Sequence, residues 1–178
     1  MKKKFLMPLI AVAATVVTLA SCMKTNQSTA CTNGLTLTQD RAVIDAFLQT
    51  SGQASQYQFD DQAGAYYGVS SPALIPGAGA NTPSADSFVA FHFETHLLDG
   101  TLIDSATTQS GSHKLSEYAA QGYPLGVYYA LTKITNGGSI SIIIPSSNAY
   151  GCNTGTNLPA NSQLIYTFQL KGMASSSF

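Results

Sequence analysis

The stretch "VYYALTKITNGGSISIIIPSSNAYG", residues 127–151, changes periodicity half-way. In its first part Val127, Ala130, Leu131 and Ile134 fall on one helical face, which predicts a short helix lying across an apolar surface. Asn136-Gly137-Gly138 ends that helix. In its second part Ile140, Ile142 and Ile144 share one side of a strand. Pro145 closes the strand because it has no N–H to give to a ladder. A run of small residues then leads to Tyr150, so a large phenol stands on a loop directly after a buried strand.

Reading outward, "SFVAFHFETHLL" at 87–98 is a long alternating strand with Phe91, Phe93, Thr95 and Leu97 on its core side. Asp99-Gly100 follows as a hairpin signal, and "TLIDS" at 101–105 starts the return strand. "QLIYTFQL" at 163–170 places Leu164, Tyr166, Phe168 and Leu170 on one side. "AGAYYGVSSPALI" from residue 63 offers an initial strand interrupted near Ser71-Pro72, and 76–86 is turn-rich. These elements predict an α+β domain, an antiparallel twisted β-sheet wrapped around one short helix. One short helix covers only part of the sheet, and the uncovered part forms an apolar hollow, the default place for a ligand.

N-terminal to this domain, "TLTQDRAVIDAFLQTSG" at 36–52 predicts an amphipathic helix with Val43, Ile44, Phe47 and Leu48 on its apolar side. Thr38 or Asp40 is the expected cap and Gly52 the stop. Its apolar face must dock on the main domain or on a partner, and a homodimer through this helix is one such use. Residues 53–62 read as loop. Lys2, Lys3 and Lys4 precede an apolar run from Phe5 to Ala20, the pattern of an export leader. Leu19-Ala20-Ser21-Cys22 resembles the lipobox of bacterial lipoproteins. That resemblance implies removal of residues 1–21, acylation of Cys22 and lipid anchoring in the cell envelope. The alternative is an ordinary secretory signal. The expected organisation is a leader at 1–21, a lipidated tether at 22–36, a helical extension at 37–62, the main domain at 63–173 and a tail at 174–178.

Charged residues make up only 10% of the chain and its net charge is near zero, so a nucleic-acid partner is not expected. Export would make a Cys31–Cys152 disulfide feasible; two free thiols are the other reading. His92, Glu94 and His96 share one face of the long strand. They read either as metal ligands or, more simply, as the solvated side of a sheet, and no metal or other cofactor is expected.

Four segments resemble the FKBP-type peptidyl-prolyl isomerases, in order and at compatible spacing across residues 63–173. They are "PGAG" before the long strand, "HFETHLLDGTLIDS", "YPLGVYYALTKITNGGSISIIIPSSNAYG" and "LPANSQLIYTFQL". The resemblance implies catalysis of Xaa-Pro rotation in proline-containing polypeptides, against a barrier of about 20 kcal/mol. No nucleophile or metal is needed. An apolar pocket grips the proline ring and strips water from an amide that is less polarised when twisted. The resemblance assigns Asp104, Tyr150 and Phe93 to catalysis, and Ile103, Val127, Leu158, Tyr166 and Tyr123 to substrate binding. Three features depart from the family pattern. The chain has no tryptophan, and Val127 stands where the family has its aromatic floor. Pro124 has no N–H where the family offers one to the bound chain. The aromatic before the helix is replaced by His113 or Leu115. These departures keep a second function open, a non-catalytic FKBP-like peptide-binding module of an envelope complex.

Overall fold

The structure is a computed structural model, and it describes residues 33–107, 113–121, 123 and 125–175. Cys22, Cys31, Pro124 and the expected leader at 1–21 lie outside the described residues. The elements are α1 (Leu37–Thr50), β1 (Tyr57–Asp60), β2 (Ala65–Gly68), β3 (Leu74–Ile75), β4 (Phe88–Leu97), β5 (Leu102–Thr107), α2 (Leu125–Leu131), β6 (Ser139–Ile144) and β7 (Leu164–Ala174). The strands form one antiparallel sheet in the order β1-β2-β6-β7-β4-β5, with β3 also paired to β6. This is the expected α+β arrangement.

The alternation read from the sequence sets which side chains share a core. Ile140, Ile142 and Ile144 of β6 lie with Leu164, Tyr166, Phe168 and Leu170 of β7 and Phe91 and Phe93 of β4 in one buried cluster. α2 lies on that face, and its Val127, Ala130 and Leu131, with Ile134 beyond its end, are all fully buried. Gly126 lets the helix sit close. A Cβ there would stand 3.2 Å from the Ala65 Cβ and 3.3 Å from the Ile144 Cδ1. The β4–β5 hairpin turns at Asp99-Gly100, where Gly100 takes a φ of +87° and the Asp99 carboxylate accepts from the Thr101 N–H at 2.9 Å. β2 and β3 both pair with β6, as two parts of the interrupted initial strand, with the cis Ser71-Pro72 bond between them.

The opposite face of the sheet carries α1. Ile44 and Leu48 pack with Tyr66 of β2 and Ile143 of β6 in a second cluster, against which Phe47, Tyr57, Phe59, Leu98 and Ile165 also rest. The helix therefore docks on its own domain, and its exposed large apolar residues are Leu37 and Val43. Val43 was expected on the buried side. The helix rotates it outward because Asp40, Ile44 and Leu48 form the stripe that faces inward. Asp40 does not cap the helix, and neither does Thr38. Thr36 does, in a capping box with Gln39: the Gln39 N–H donates to the Thr36 hydroxyl and the Thr36 N–H to the Gln39 side-chain carbonyl. Residues 57–60, expected to be loop, form the edge strand β1. Among the described residues no helix is long and apolar enough to cross a membrane.

Candidate functional site

α2 is only seven residues long, so the sheet stays open beside it at the β7-β4-β5 end. There Phe93, Asp104, Gln121, Tyr123, Tyr150 and Tyr166 line a hollow of about 200 Å³. Thr95 of β4 pairs with Tyr166 of β7 on one side and with Asp104 of β5 on the other. This register brings the carboxylate and the phenol to the same face. Phe93 supplies the floor. Its ring meets Tyr123 edge-on at 5.8 Å between centroids and lies tilted against Tyr166 at 6.5 Å. Tyr166 stacks in parallel on Phe168 at 5.7 Å.

The lip is polar. The hydroxyls of Tyr150 and Tyr166 stand 3.5 Å apart. Burial holds the Tyr166 phenol well above its ordinary range, and the neighbouring Tyr150 hydroxyl adds to that. Tyr123 is also pushed up, by burial first and then by the charges of Asp104 and Tyr150. These phenols stay neutral and act as hydrogen-bonding groups. Asp104 is exposed at the rim, and Tyr150 is 39% exposed. Among the described residues of the hollow no nucleophile is held by a base. The arrangement can seat a small apolar ring on Phe93 while the lip hydroxyls meet its peptide groups. The volume lies below the ~300–1,000 Å³ of drug-sized sites, which suits one side chain and its amide.

Five of the eight expected site residues, Phe93, Asp104, Tyr123, Tyr150 and Tyr166, meet in this hollow. Ile103 and Leu158 are half-buried and pack on the same core but do not line it. Val127 is fully buried beneath α2 and is not the floor, because the face that carries it points at the sheet. Gln121 lines the hollow and was not expected. It ends a 3-10 segment, Leu115–Gln121, with no periodic pattern to mark it. Of the two candidates before the helix, Leu115 is fully buried and His113 is exposed, 3.5 Å from Glu117. Cys152, two residues after Tyr150, is disulfide-bonded.

The family model for FKBP-type peptidyl-prolyl cis-trans isomerases matches residues 79–171, more than half of the chain. The chain belongs to this family. The matched segment contains every residue of the hollow. Among curated FKBP relatives, the chain is 31% identical over 94 residues to the isomerase FkpA of Buchnera aphidicola, covering 53% of this chain and 36% of that protein. It is 34% identical over 94 residues to human FKBP10, covering 52% of this chain and 16% of that protein. The match thus spans only part of these relatives' own length. In fold, it resembles a Pseudomonas syringae peptidyl-prolyl isomerase with a TM-score of 0.55 at 20% identity, covering 79% of this chain and 97% of the other. Escherichia coli FkpA gives 0.54 at 18% identity, with 79% and 62% covered.

A larger hollow of about 350 Å³ opens at the other end of the sheet, lined by Gln58, Asp60, Tyr67, Val69, Leu74 and Lys133 among others. Most of its lining precedes the segment that matches the FKBP family. His92 and Glu94 lie 3.5 Å apart on the face away from Phe91 and Phe93. Among the described residues no group of three or more His, Cys, Asp or Glu side chains could hold a metal.

Proposed function

We propose that this FKBP-family chain is an active prolyl isomerase that assists protein folding, anchored by lipid at Cys22 in the bacterial cell envelope. The observation that carries the catalytic part is the convergence of Phe93, Asp104, Tyr123, Tyr150 and Tyr166 on one hollow. In this reading the proline ring of an unfolded or extended polypeptide rests on Phe93. Tyr150 donates to a carbonyl of the bound chain. Asp104 faces the twisting amide, and the aromatic walls exclude the water that would stabilise its planar form. A protease-coupled assay on a proline peptide tests it. Acceleration over buffer is expected, and its absence rejects the enzyme. Asp104→Ala and Tyr150→Phe are each expected to lower kcat/KM about tenfold or more, by loss of interactions at the reacting amide. If both leave it unchanged, the site is misassigned.

The lipid anchor rests on the lipobox-like Leu19-Ala20-Ser21-Cys22. Several acyl chains would hold the chain firmly, where one would be marginal. Labelled palmitate should enter the native chain and not the Cys22→Ser variant. The reading uses no dimer through α1, since Ile44 and Leu48 are buried within the chain.

A non-catalytic peptide-binding module is the second reading, favoured by the burial of Val127 away from the hollow and by the phenols of Tyr123, Tyr150 and Tyr166 that crowd it. Saturable binding of a proline peptide without acceleration would select it.

A further inference from the structure

The wall of the hollow that carries Tyr150 belongs to the loop between β6 and β7, residues 145–163. That loop is held from outside the segment matching the FKBP family. Asp40, in the first turn of α1, has no solvent exposure. Its Oδ1 accepts from the Ser146 hydroxyl and from the Gln163 side-chain amide, each at 2.7 Å. Its Oδ2 accepts from the Ser147 N–H at 2.8 Å. Ser146 and Ser147 open the loop and Gln163 closes it, so one carboxylate ties the two ends together.

From Ser146 the linkage reaches the phenol through backbone alone. The Ser146 carbonyl accepts from the N–H of Ala149 at 3.0 Å and of Gly151 at 2.8 Å, the residues on either side of Tyr150. The returning limb is tied in as well. The Gln163 amide also donates to the Asn161 carbonyl at 3.1 Å, and the Asn161 N–H donates to the Gly151 carbonyl at 2.8 Å. A buried carboxylate is costly unless charge-assisted hydrogen bonds satisfy it, and here three do. Docking of α1 gives no reason for a charge, since Ile44 and Leu48 already anchor it and an apolar side chain would serve as well. What the carboxylate supplies is direction, because hydrogen bonds fix the loop's height where apolar contacts would let it slide.

We propose that Asp40 is a positioning residue for Tyr150, and that α1 is a working part of the isomerase site. The consequence for turnover rests on the isomerase reading above; the consequence for the place of the phenol does not.

The test compares Asp40→Ala in the wild-type and Tyr150→Phe backgrounds of the full chain, by kcat/KM on a proline tetrapeptide. A misplacement of about 1 Å can cost up to ~100-fold. A loss of about tenfold is expected in the wild-type background and almost none once the Tyr150 hydroxyl is gone. Asp40→Asn, which keeps the size and one acceptor, should restore part of the rate. Equal losses in both backgrounds would overturn the proposal, as would no loss. Fluorine NMR of fluorotyrosine-labelled protein, with Tyr150 assigned by its absence in Tyr150→Phe, gives a second readout. Its signal should shift or broaden in folded Asp40→Ala, and an unmoved signal overturns the proposal. Should Asp40→Ala fail to fold, Asp40→Asn and Ser146→Ala carry the same comparisons. Should the wild type show no isomerase activity, the Tyr150 signal alone decides.

Discussion

Replacing Ile44 by alanine tests whether α1 is an integral layer of the fold. Ile44 has no solvent exposure and sits among Leu48, Tyr66 and Ile143, with half-buried aromatic residues around them. The change removes three carbons from this contact. At ~0.8 kcal/mol per buried methylene, the transfer term is about 2.4 kcal/mol. The surrounding rings and β6 backbone collapse only partly into the space, so a cavity term brings the expected loss to about 3 kcal/mol. For a chain of this size that lowers Tm by roughly 10 °C. Val43→Ala, one residue away but 43% exposed, should cost less than ~0.5 kcal/mol. Urea denaturation followed by circular dichroism reads both, and the slope for Ile44→Ala should match the wild type. Turnover well below the melting range should be unchanged, because it is Asp40 and not Ile44 that reaches the Tyr150 loop. A loss under about 1 kcal/mol for Ile44→Ala, or one equal to that of Val43→Ala, would refute the docked helix.

Asp40 gives an acid limb to stability. Burial raises its pKa, but the bonds from Gln163, Ser147 and Ser146 outweigh that and leave it below the ordinary 3.8. Its contribution is therefore complete above that value and is lost as pH falls through the lowered native one, so Asp40→Asn should flatten the melting curve's pH dependence in that window. Tyr166 gives the opposite, alkaline limb. Its phenol is raised by burial and by Tyr150, so its contribution is complete below the ordinary 10.0 and is lost as pH climbs through the raised native value. A tyrosinate absorbance titration should show phenols that ionise late, together with unfolding. Tyr166→Phe removes a hydroxyl whose contact to Tyr150 is long but which also meets the side chain of Thr95, so a thermal melt should show a loss of about 1 kcal/mol. Peptide mapping without reductant is expected to recover Cys152 linked to Cys31, since Asn161 of the same loop bonds Asn33 and Leu35 close by in sequence.

What the sequence made legible was mostly what depends on local period, although Val43 of α1 turns outward where the spacing put it inward. The alternating isoleucines of β6, the aromatic alternation of β4 and β7 and the inward face of α2 need only side-chain spacing, and all four fall where the spacing puts them. β1 escaped because "YQFD" is short, polar-flanked and fixed by pairing with β2. The same facial reading that buries Val127 against the sheet conflicts with using it as a pocket floor, and the geometry follows the facial reading. Asp40 looked like a helix cap because acids favour first turns. Its partners lie 106, 107 and 123 positions away, which no local pattern can show. Gln121 reaches the hollow from an aperiodic 3-10 segment, so its residue type alone gave no signal.

The phenols in the hollow make the place of Tyr150 matter more than its chemistry. An apolar pocket favours a twisted amide by removing water, but hydroxyls of Tyr123, Tyr150 and Tyr166 can themselves stabilise the planar form by bonding its carbonyl. Whether they help or hinder depends on which carbonyl each one reaches. The Tyr150–Tyr166 contact at 3.5 Å is far from the 2.7–2.8 Å typical of hydroxyl pairs, so it cannot fix the Tyr150 ring. Tyr150 is also more than a third exposed, so packing holds it only in part. What remains is the backbone, held by Ser146 on both sides of the residue and by Asp40 behind Ser146. In this chain the aim of the lip hydroxyl is thus set from the opposite face of the sheet, by a helix that contributes no residue to the hollow.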